Sequence, residues 1–143
     1  MSRRILLTLC AASVSAIANP LSAQSQQASI TERDFTVEEA LAVTGRKVFS
    51  ARGCIGCHTV GKGELSAPDL GGLFERRTTT WVRKWLRDPP AMLASDDIAK
   101  NLLKKYNNYR MPNLKLTEDE ITALMHYIAA ETMAAKSSVT PTQ

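Results

Sequence analysis

One short segment, Cys54-Ile55-Gly56-Cys57-His58, constrains this chain more than any other feature of its sequence. Only two residues separate the cysteines, so a disulfide between them would close too small a loop to stabilise a fold much. A structural zinc site normally needs four ligands, whereas the chain beyond residue 23 offers two cysteines and two histidines without zinc-finger spacing. The two sulfur atoms therefore need another chemical role.

Cys-x-x-Cys followed directly by His is the attachment sequence of c-type haem. In that chemistry the two sulfurs join the two vinyl groups of the macrocycle, and the adjacent histidine supplies an imidazole nitrogen to the iron. The main alternative, a thioredoxin-like redox pair, expects a βαβ context and has no use for the histidine. We therefore expect one haem c, covalently bound through Cys54 and Cys57, with His58 as an axial ligand.

The N-terminus has the order of a secretory signal peptide: a short basic start, an uncharged apolar run over Ile5–Ile17, and small residues that permit cleavage after Ala23 or Ala18. A membrane anchor would need about 20 apolar residues, and this run is shorter. A lipid anchor on Cys10 is disfavoured because the preceding leucine is too bulky for the usual lipoprotein cleavage site. We expect a periplasmic or otherwise exported protein with no stable membrane insertion once residues 1–23 are removed.

The 143 residues suit one domain plus a removable leader. Residues 24–35 include a polar stretch of low complexity and are expected to form a flexible tail. The domain itself is expected over residues 36–136. The polar residues 137–143 are expected to form a disordered C-terminal tail.

Basic residues are concentrated in the middle of the chain. Removal of Arg3 and Arg4 with the leader would lower the formal net charge from +4 to about +2. Between Thr44 and Leu116, however, 14 Lys and Arg face six Asp and Glu. This excess favours a redox protein partner with an acidic docking surface. Nucleic acid is the other conventional partner of a basic surface, but no binding motif is present and an exported protein seldom meets it.

Hydrophobic periodicity predicts an all-α architecture, and no segment shows the period-two alternation of a strand. The glycine-rich segment from Thr59 to Gly72 and the segment from Tyr109 to Leu116 are predicted to be loops. The predicted helices, in order, are one capped by Asp34 or Thr36 and reaching about Ser50, one over Thr78–Leu86, one opened by Asp96 and Asp97 and broken at Asn107-Asn108, and one that starts with a capping box of Thr117 and Glu120.

A six-coordinate haem needs a second axial ligand besides His58, and methionine is the candidate type. Met125 and Met133 fall in the last predicted helix, where methionine is more often part of a core. Met92 is expected in a loop after Pro89-Pro90 and stays a second candidate. Met111 is favoured, because a loop can present its thioether while Pro112 fixes the local backbone.

From about Val43 to Ala130 the chain resembles the class I c-type cytochromes, the monohaem cytochrome c family. The segments that carry the resemblance are Gly45-Arg46-Lys47-Val48-Phe49, Cys54 to His58, Ala67-Pro68-Asp69-Leu70, Trp81 to Pro89, Met111-Pro112 and Leu116 to Ile128. The resemblance implies the class I cytochrome c fold, in which N- and C-terminal helices cross around one covalently bound haem. It places Gly45, Phe49 and Tyr127 at the crossing.

The same resemblance implies that the carbonyl of Pro68 accepts a hydrogen bond from the far nitrogen of His58, which would fix the ligand's orientation. It makes Trp85 a candidate to line the haem or bond its propionates. Trp81 and Tyr106 are weaker candidates of the same kind, and Arg76 or Arg77 could pair with a propionate. His126 is expected to be a surface or half-buried residue rather than a ligand.

Histidine plus methionine leaves the iron no open position, so the expected function is outer-sphere electron transfer by a protein that is not an enzyme. A peroxidase-like enzyme in which Met111 dissociates is one alternative, but no distal acid–base residues are evident. A dedicated electron-transfer subunit of a larger oxidoreductase complex is the other. Docking is expected on a basic rim, which includes some of Lys62, Arg76, Lys84, Lys100, Lys104, Lys105 and Lys115.

Overall fold

The structure, a computed structural model, describes residues 36–139, and within that range it is all-helical, with no strand. The predicted leader, the flexible tail and residues 140–143 lie outside the described residues. The helices are α1 (Glu39–Ala51), α2 (Leu73–Arg76), α3 (Thr79–Arg87), α4 (Pro89–Ser95), α5 (Asp97–Lys105) and α6 (Glu118–Val139), and a short 3-10 turn spans Cys54–Gly56. The all-α prediction is confirmed.

Helix α1 begins differently from the prediction. Its N-cap is Glu38, whose side chain accepts no capping hydrogen bond, so Thr36 is not the cap that was predicted, and the other predicted cap, Asp34, lies outside the described residues. The backbone N–H of Glu38 instead donates to Nδ1 of His126 on α6 at 3.0 Å. This backbone N–H at the start of α1 is thus satisfied by a distant side chain, which no local capping pattern could reveal.

Three other helix starts follow the sequence signals. The hydroxyl of Thr78 accepts from the N–H of Trp81 at the start of α3, and the carboxylate of Asp96 accepts from Ala99 at the start of α5. The capping box of α6 is formed in both directions, from the Thr117 N–H to Glu120 and from the Glu120 N–H to the Thr117 hydroxyl. Helix α6 continues to Val139, past the position where the C-terminal tail was expected to begin.

The expected loop around Met92 is a helix. Asp88 caps α4 by accepting from the N–H of Ala91, and Pro89 and Pro90 occupy its first two positions. Proline is well suited to the first turn of a helix, because its missing N–H would have had no intrahelical partner there. The prediction that the proline pair leads into a loop was therefore wrong.

The two longest of the described helices, α1 and α6, cross closely at Gly45. A Cβ built on Gly45 would lie 2.0 Å from the backbone oxygen of Ala123 and 2.7 Å from Cβ of Tyr127, so only glycine permits this approach. Beside it the rings of Phe49 and Tyr127 have centroids 5.3 Å apart and are tilted by 54°. The crossing implied by the family resemblance is confirmed.

A hydrophobic core joins this crossing to α3. It is built from buried side chains of α1, α3, α6 and the segments between them, of which Ile121 and Leu124 of α6 are almost fully enclosed. Trp81, Met111, Leu70 and Cys54 pack against the edge of this core. Several residues of the candidate site therefore pack directly against this core.

Candidate functional site

One largely apolar cleft brings together all six residues that the sequence selected. Cys54, Cys57, His58, Pro68, Trp85 and Met111 all line it. The rest of its wall is mainly aliphatic and aromatic, and includes Phe49 of α1, Leu86 of α3, Leu103 of α5 and Leu124 of α6. Segments that are distant in sequence therefore converge on one site.

The two cysteines lie where α1 gives way to a tight turn. Gly53 has a φ of 74°, in the left-handed region that favours glycine, and it redirects the chain into the 3-10 turn. Both thiols are free and half-buried in the cleft wall. Burial raises the pKa of the Cys54 thiol, with a smaller contribution from the nearby Cys57, while a backbone hydrogen bond opposes the rise.

His58 is held by one hydrogen bond. Its Nδ1 lies 2.8 Å from the carbonyl oxygen of Pro68, so the Nδ1–H donates and Nε2 is the nitrogen left to act as a donor to a metal. Burial lowers the pKa of the imidazole, and the bond to Pro68 opposes this only in part. The ring therefore favours its neutral form, which is the form that binds a metal.

The loop that presents Pro68 is organised by Asp69. Its carboxylate accepts from the Thr59 hydroxyl and from four backbone N–H groups, those of Gly61, Lys62, Gly63 and Gly71. Burial raises the pKa of this carboxyl, but the hydrogen bonds outweigh burial and lower the pKa to about 2. Asp69 is thus ionised at any ordinary pH and holds the loop from within.

Met111 is held by Trp85. The indole Nε1–H of Trp85 donates to the thioether sulfur of Met111 at 3.1 Å, within the range for a contact to sulfur. Trp85 also stacks on Trp81, with ring centroids 5.7 Å apart and an interplanar angle of 6°. The Nε1–H of Trp81 donates to Asp96, which also caps α5. This chain of contacts connects the Met111 segment to both α3 and α5.

Tyr106 lines the cleft and takes part in a small surface network. Its hydroxyl donates to Glu64 at 2.7 Å, and Lys105 donates to the same carboxylate oxygen at 2.8 Å. The bonds from Lys105 and Tyr106 lower the pKa of the Glu64 carboxyl. Glu64 therefore connects the loop after His58 to the end of α5.

The remaining candidates lie elsewhere. Arg76 donates to the carbonyls of Gly71 and Asp69, and Arg77 lies over the Trp81 ring, so neither lines the cleft. Met92, Met125 and Met133 do not line it either. His126 is only 7% exposed, so the expectation of a surface or half-buried residue was wrong, although it stays outside the cleft as expected.

Sequence reasoning missed the roles of Asp69 and Glu64 and the bond that Asp96 accepts from Trp81, although it placed Asp96 at the start of a helix. Asp69 stood within the family-like segment without a function, yet an aspartate beside glycines is a common organiser of turns. That signal could have identified it. The contacts of Glu64 with Lys105 and Tyr106, and of Asp96 with Trp81, join residues more than ten positions apart, and no local sequence pattern indicates such pairs.

The cleft fits the cofactor that the sequence predicts. Two thiols, an imidazole with Nε2 available and a thioether are the donor types that c-type haem attachment and ligation require. An apolar wall suits a large, flat macrocycle that must be kept from water. Of the described residues that line the cleft, Arg52 alone carries a full charge, and it is paired with Glu120.

Comparisons with known proteins agree with this geometry. A family model described as cytochrome c matches residues 42–131. The cytochrome c domain of the pp3183 protein from Pseudomonas putida is similar, with 38% sequence identity and a TM-score of 0.59 over 68% of this chain and 95% of that one. A cytochrome c from Rhodothermus marinus has the same fold, with a TM-score of 0.65 and 22% identity over 69% of this chain and 83% of that one. An engineered cytochrome c from the same organism, bound to a carbene intermediate, matches with a TM-score of 0.61 and 22% identity over 68% of this chain and 82% of that one.

Proposed function

This chain belongs to the cytochrome c family, and on that basis we propose that it is an exported monohaem carrier that passes single electrons between redox partners. Members of the family bind one haem c covalently through a cysteine pair and act in electron transfer. The outer-sphere mechanism, the ligand set and the location of this protein are parts of the proposal.

The observation that carries the proposal is the joint presence of two held donors in one cleft. The imidazole of His58 is oriented by Pro68, and the thioether of Met111 is oriented by Trp85. His58 is thus restrained by the hydrogen bond that it donates to Pro68, and Met111 by the one that it accepts from Trp85. Restrained donors suit a site that must keep the same geometry in two oxidation states.

In this proposal Cys54 and Cys57 would form the two thioether links to haem c, and His58 and Met111 would ligate its iron. When bound, haem c supplies an iron that exchanges one electron between its ferric and ferrous forms. Pro68 keeps Nδ1 protonated and so directs Nε2 to the metal. The aliphatic and aromatic walls exclude water, which reduces the solvent reorganisation that accompanies a change of charge.

This arrangement favours a carrier over an enzyme. If His58 and Met111 both ligate the iron, they would leave no position on it for a substrate. Arg52, the one fully charged side chain in the described cleft wall, is paired with Glu120 and therefore poorly placed for acid–base chemistry. We expect carbon monoxide to bind slowly to the reduced protein.

The partner is proposed to be a redox protein with an acidic docking surface. Most of the predicted basic rim is exposed, including Lys62, Lys84, Lys104, Lys105 and Lys115. Tyr109, which lines the cleft and is 60% exposed, offers an apolar contact beside the cleft. Attraction between opposite charges would speed encounter and weaken with salt.

Export is proposed from the signal-peptide pattern of residues 1–23, with periplasmic delivery as the expected outcome. Among residues 36–139, no helix combines the length and apolar character needed to cross a membrane.

A second candidate is a dedicated electron-transfer subunit of a larger oxidoreductase complex. It is favoured by the Pseudomonas putida neighbour, which is described as a domain of a protein. Gel filtration of the native extract separates the two possibilities, because a free carrier elutes as a small protein and a subunit with its complex.

The proposal is tested by expressing the full chain in a cell that matures c-type cytochromes. We expect haem to stay on the polypeptide after extraction with acidified organic solvent, and the oxidised protein to show far-red absorption typical of methionine ligation. Loss of the haem on extraction would contradict covalent attachment. Covalent haem without the far-red band would contradict only the role of Met111 as a ligand and would leave covalent attachment standing.

A further inference from the structure

We propose that Asp69 is a positioning residue for His58: its carboxylate fixes the peptide that carries the Pro68 carbonyl, and that carbonyl fixes the imidazole. The inference rests on the proposed function, because it concerns the axial ligand of the haem. It assigns the tuning of that ligand to a side chain that never touches it.

The first observation is the number of donors that converge on one carboxylate. Both oxygens of Asp69 are occupied. Oδ1 accepts from the N–H groups of Gly61 and Gly71 at 2.8 and 2.5 Å. Oδ2 accepts from the Thr59 hydroxyl at 2.5 Å and from the N–H groups of Lys62 and Gly63 at 2.8 and 2.6 Å. The carboxylate thus joins the chain just after His58 to the chain just after Pro68.

The second observation is the route from Asp69 to the imidazole. The carbonyl of Pro68 and the N–H of Asp69 belong to one planar peptide unit, so the orientation of one sets that of the other. On the N-terminal side of this peptide unit, the proline ring fixes the φ angle of Pro68. On the far side, Arg76 donates to the carbonyl of Asp69 at 3.3 Å, and the side chain is held by its five donors. The Pro68 oxygen is thereby directed at His58 Nδ1, 2.8 Å away.

Backbone hydrogen bonds alone do not replace this carboxylate. Ala67 donates to the carbonyl of Cys57 at 3.2 Å and Leu70 donates to that of Thr59 at 2.8 Å, and these two bonds frame the loop without involving the Asp69 side chain. Between them the N–H groups of Gly61, Lys62 and Gly63 all point at the carboxylate. An amide cannot substitute for it, because in either orientation its NH₂ group would face at least two N–H donors.

The test is Asp69→Asn in the full-length holoprotein, with Glu64→Gln as the matched control. Both variants remove one negative charge from the same loop, but the Glu64 carboxylate bonds to Lys105 and Tyr106 rather than to the loop backbone. The readouts are the solvent exchange of the His58 Nδ1 proton, by NMR of the reduced protein, and the reduction potential.

We expect the Nδ1 proton to exchange at least about tenfold faster in Asp69→Asn, which corresponds to about 1.4 kcal/mol of lost local stabilisation. We also expect a higher reduction potential than in Glu64→Gln, because a weaker bond from Nδ1–H to the carbonyl makes the imidazole a poorer donor to ferric iron. Glu64→Gln should leave the exchange rate unchanged and report only the effect of the lost charge.

Equal exchange rates in the two variants and the wild type would overturn the inference, even if both potentials moved. If Asp69→Asn yields no holoprotein, Thr59→Val decides, since it removes one of the five donors and should accelerate exchange in the same direction by a smaller factor. An unchanged rate in Thr59→Val would then overturn it. A wild-type protein without covalent haem would contradict both the proposed function and this inference. A wild-type protein with the spectra of His–Met ligation, together with variants whose exchange rates do not change, would contradict the inference only.

Discussion

At the scale of single residues, the two proposed axial ligands differ in how firmly they are held. His58 bonds to a backbone carbonyl within a loop that Asp69 and Arg76 tie together. Met111 lies in a segment without secondary structure, and its sulfur is held by one indole N–H, that of Trp85. Met111 is therefore the ligand that single substitutions should release most easily.

The change Trp85→Phe keeps an aromatic ring but removes the donor to Met111. A neutral hydrogen bond contributes roughly 1 kcal/mol, so the pH at which the far-red band is lost on alkaline titration should fall by about 0.7 unit. Absorption spectra of the oxidised protein between neutral and alkaline pH measure this midpoint. Trp81→Phe is the control, because its indole donates to Asp96 rather than to Met111. Equal midpoints in Trp85→Phe and the wild type would show that the indole does not hold the ligand.

The low pKa of Asp69 predicts how the free energy of unfolding changes with pH. Its pKa of about 2 in the folded protein lies below the ordinary value of 3.8, so the unfolded chain binds the proton more readily. The stabilisation by the carboxylate is complete above about pH 4 and is lost as the pH falls through 2. Allowing for solvent screening of a partly exposed group, it contributes on the order of 1 kcal/mol.

Denaturant unfolding of the wild type and Asp69→Asn across this range measures the effect. The two proteins should differ in free energy of unfolding near neutral pH, and the difference should shrink toward zero as the pH approaches 2. A difference that stays constant with pH would mean that the ionised carboxylate is not what stabilises the loop.

At the scale of helices, the crossing of α1 and α6 depends on one absent side chain. In Gly45→Ala the new Cβ would meet the backbone oxygen of Ala123 at 2.0 Å, and a helix backbone cannot yield as a flexible side chain can. Overpacking costs roughly 1–3 kcal/mol, and a clash with backbone belongs at the upper end of that range. Alanine normally brings a gain of up to about 1 kcal/mol to a helix, so we expect a net loss of about 2 kcal/mol in the free energy of unfolding.

Gly56→Ala is the matched control, because a Cβ there would meet nothing within 4 Å. Its free energy of unfolding should stay within about 0.5 kcal/mol of the wild type. Thermal or denaturant unfolding of both variants gives the comparison. Similar stabilities for the two would mean that the helices move apart at little cost.

The helices also show what the sequence could predict. The capping box of Thr117 and Glu120 and the cap at Asp96 were predictable because their partners lie within three residues. The crossing at Gly45 and the convergence of the site residues followed from the family resemblance rather than from periodicity. Local signals misplaced the Pro89-Pro90 segment, since prolines start a helix as readily as they end one.

The burial of His126 and the hydrogen bonds around Asp69 could not be predicted from local sequence signals. Glu38 and His126 are 88 positions apart, so their hydrogen bond exists only once the two helices have met. The donors to Asp69 are backbone N–H groups, which every residue except proline carries and which no sequence pattern marks. Contacts of this kind are set by the fold as a whole.

At the scale of the whole molecule, charge should govern the encounter with a partner. Lys104 is exposed on α5, whose Leu102 and Leu103 line the cleft, whereas Lys47 is exposed on α1. Lys104→Glu and Lys47→Glu make the same change in net charge at different places. Stopped-flow reduction by an acidic redox protein should slow several-fold for Lys104→Glu at low salt, and clearly less for Lys47→Glu.

The difference between these two variants should disappear as ionic strength rises, because salt screens exposed charges beyond about 10 Å at 0.1 M. Equal rates for the two variants at low salt would place the docking surface away from α5. Rates that do not respond to salt at all would argue against electrostatic docking in any orientation.

The meeting of Gly45 with Ala123 also makes the fold depend on both ends of the described domain. Because the two residues are far apart in sequence, closing this contact carries the loop-closure cost of the whole segment between them. A chain truncated before α6 should therefore lack the close packing of α1, and the cleft that Phe49 and Leu124 both line should be incomplete.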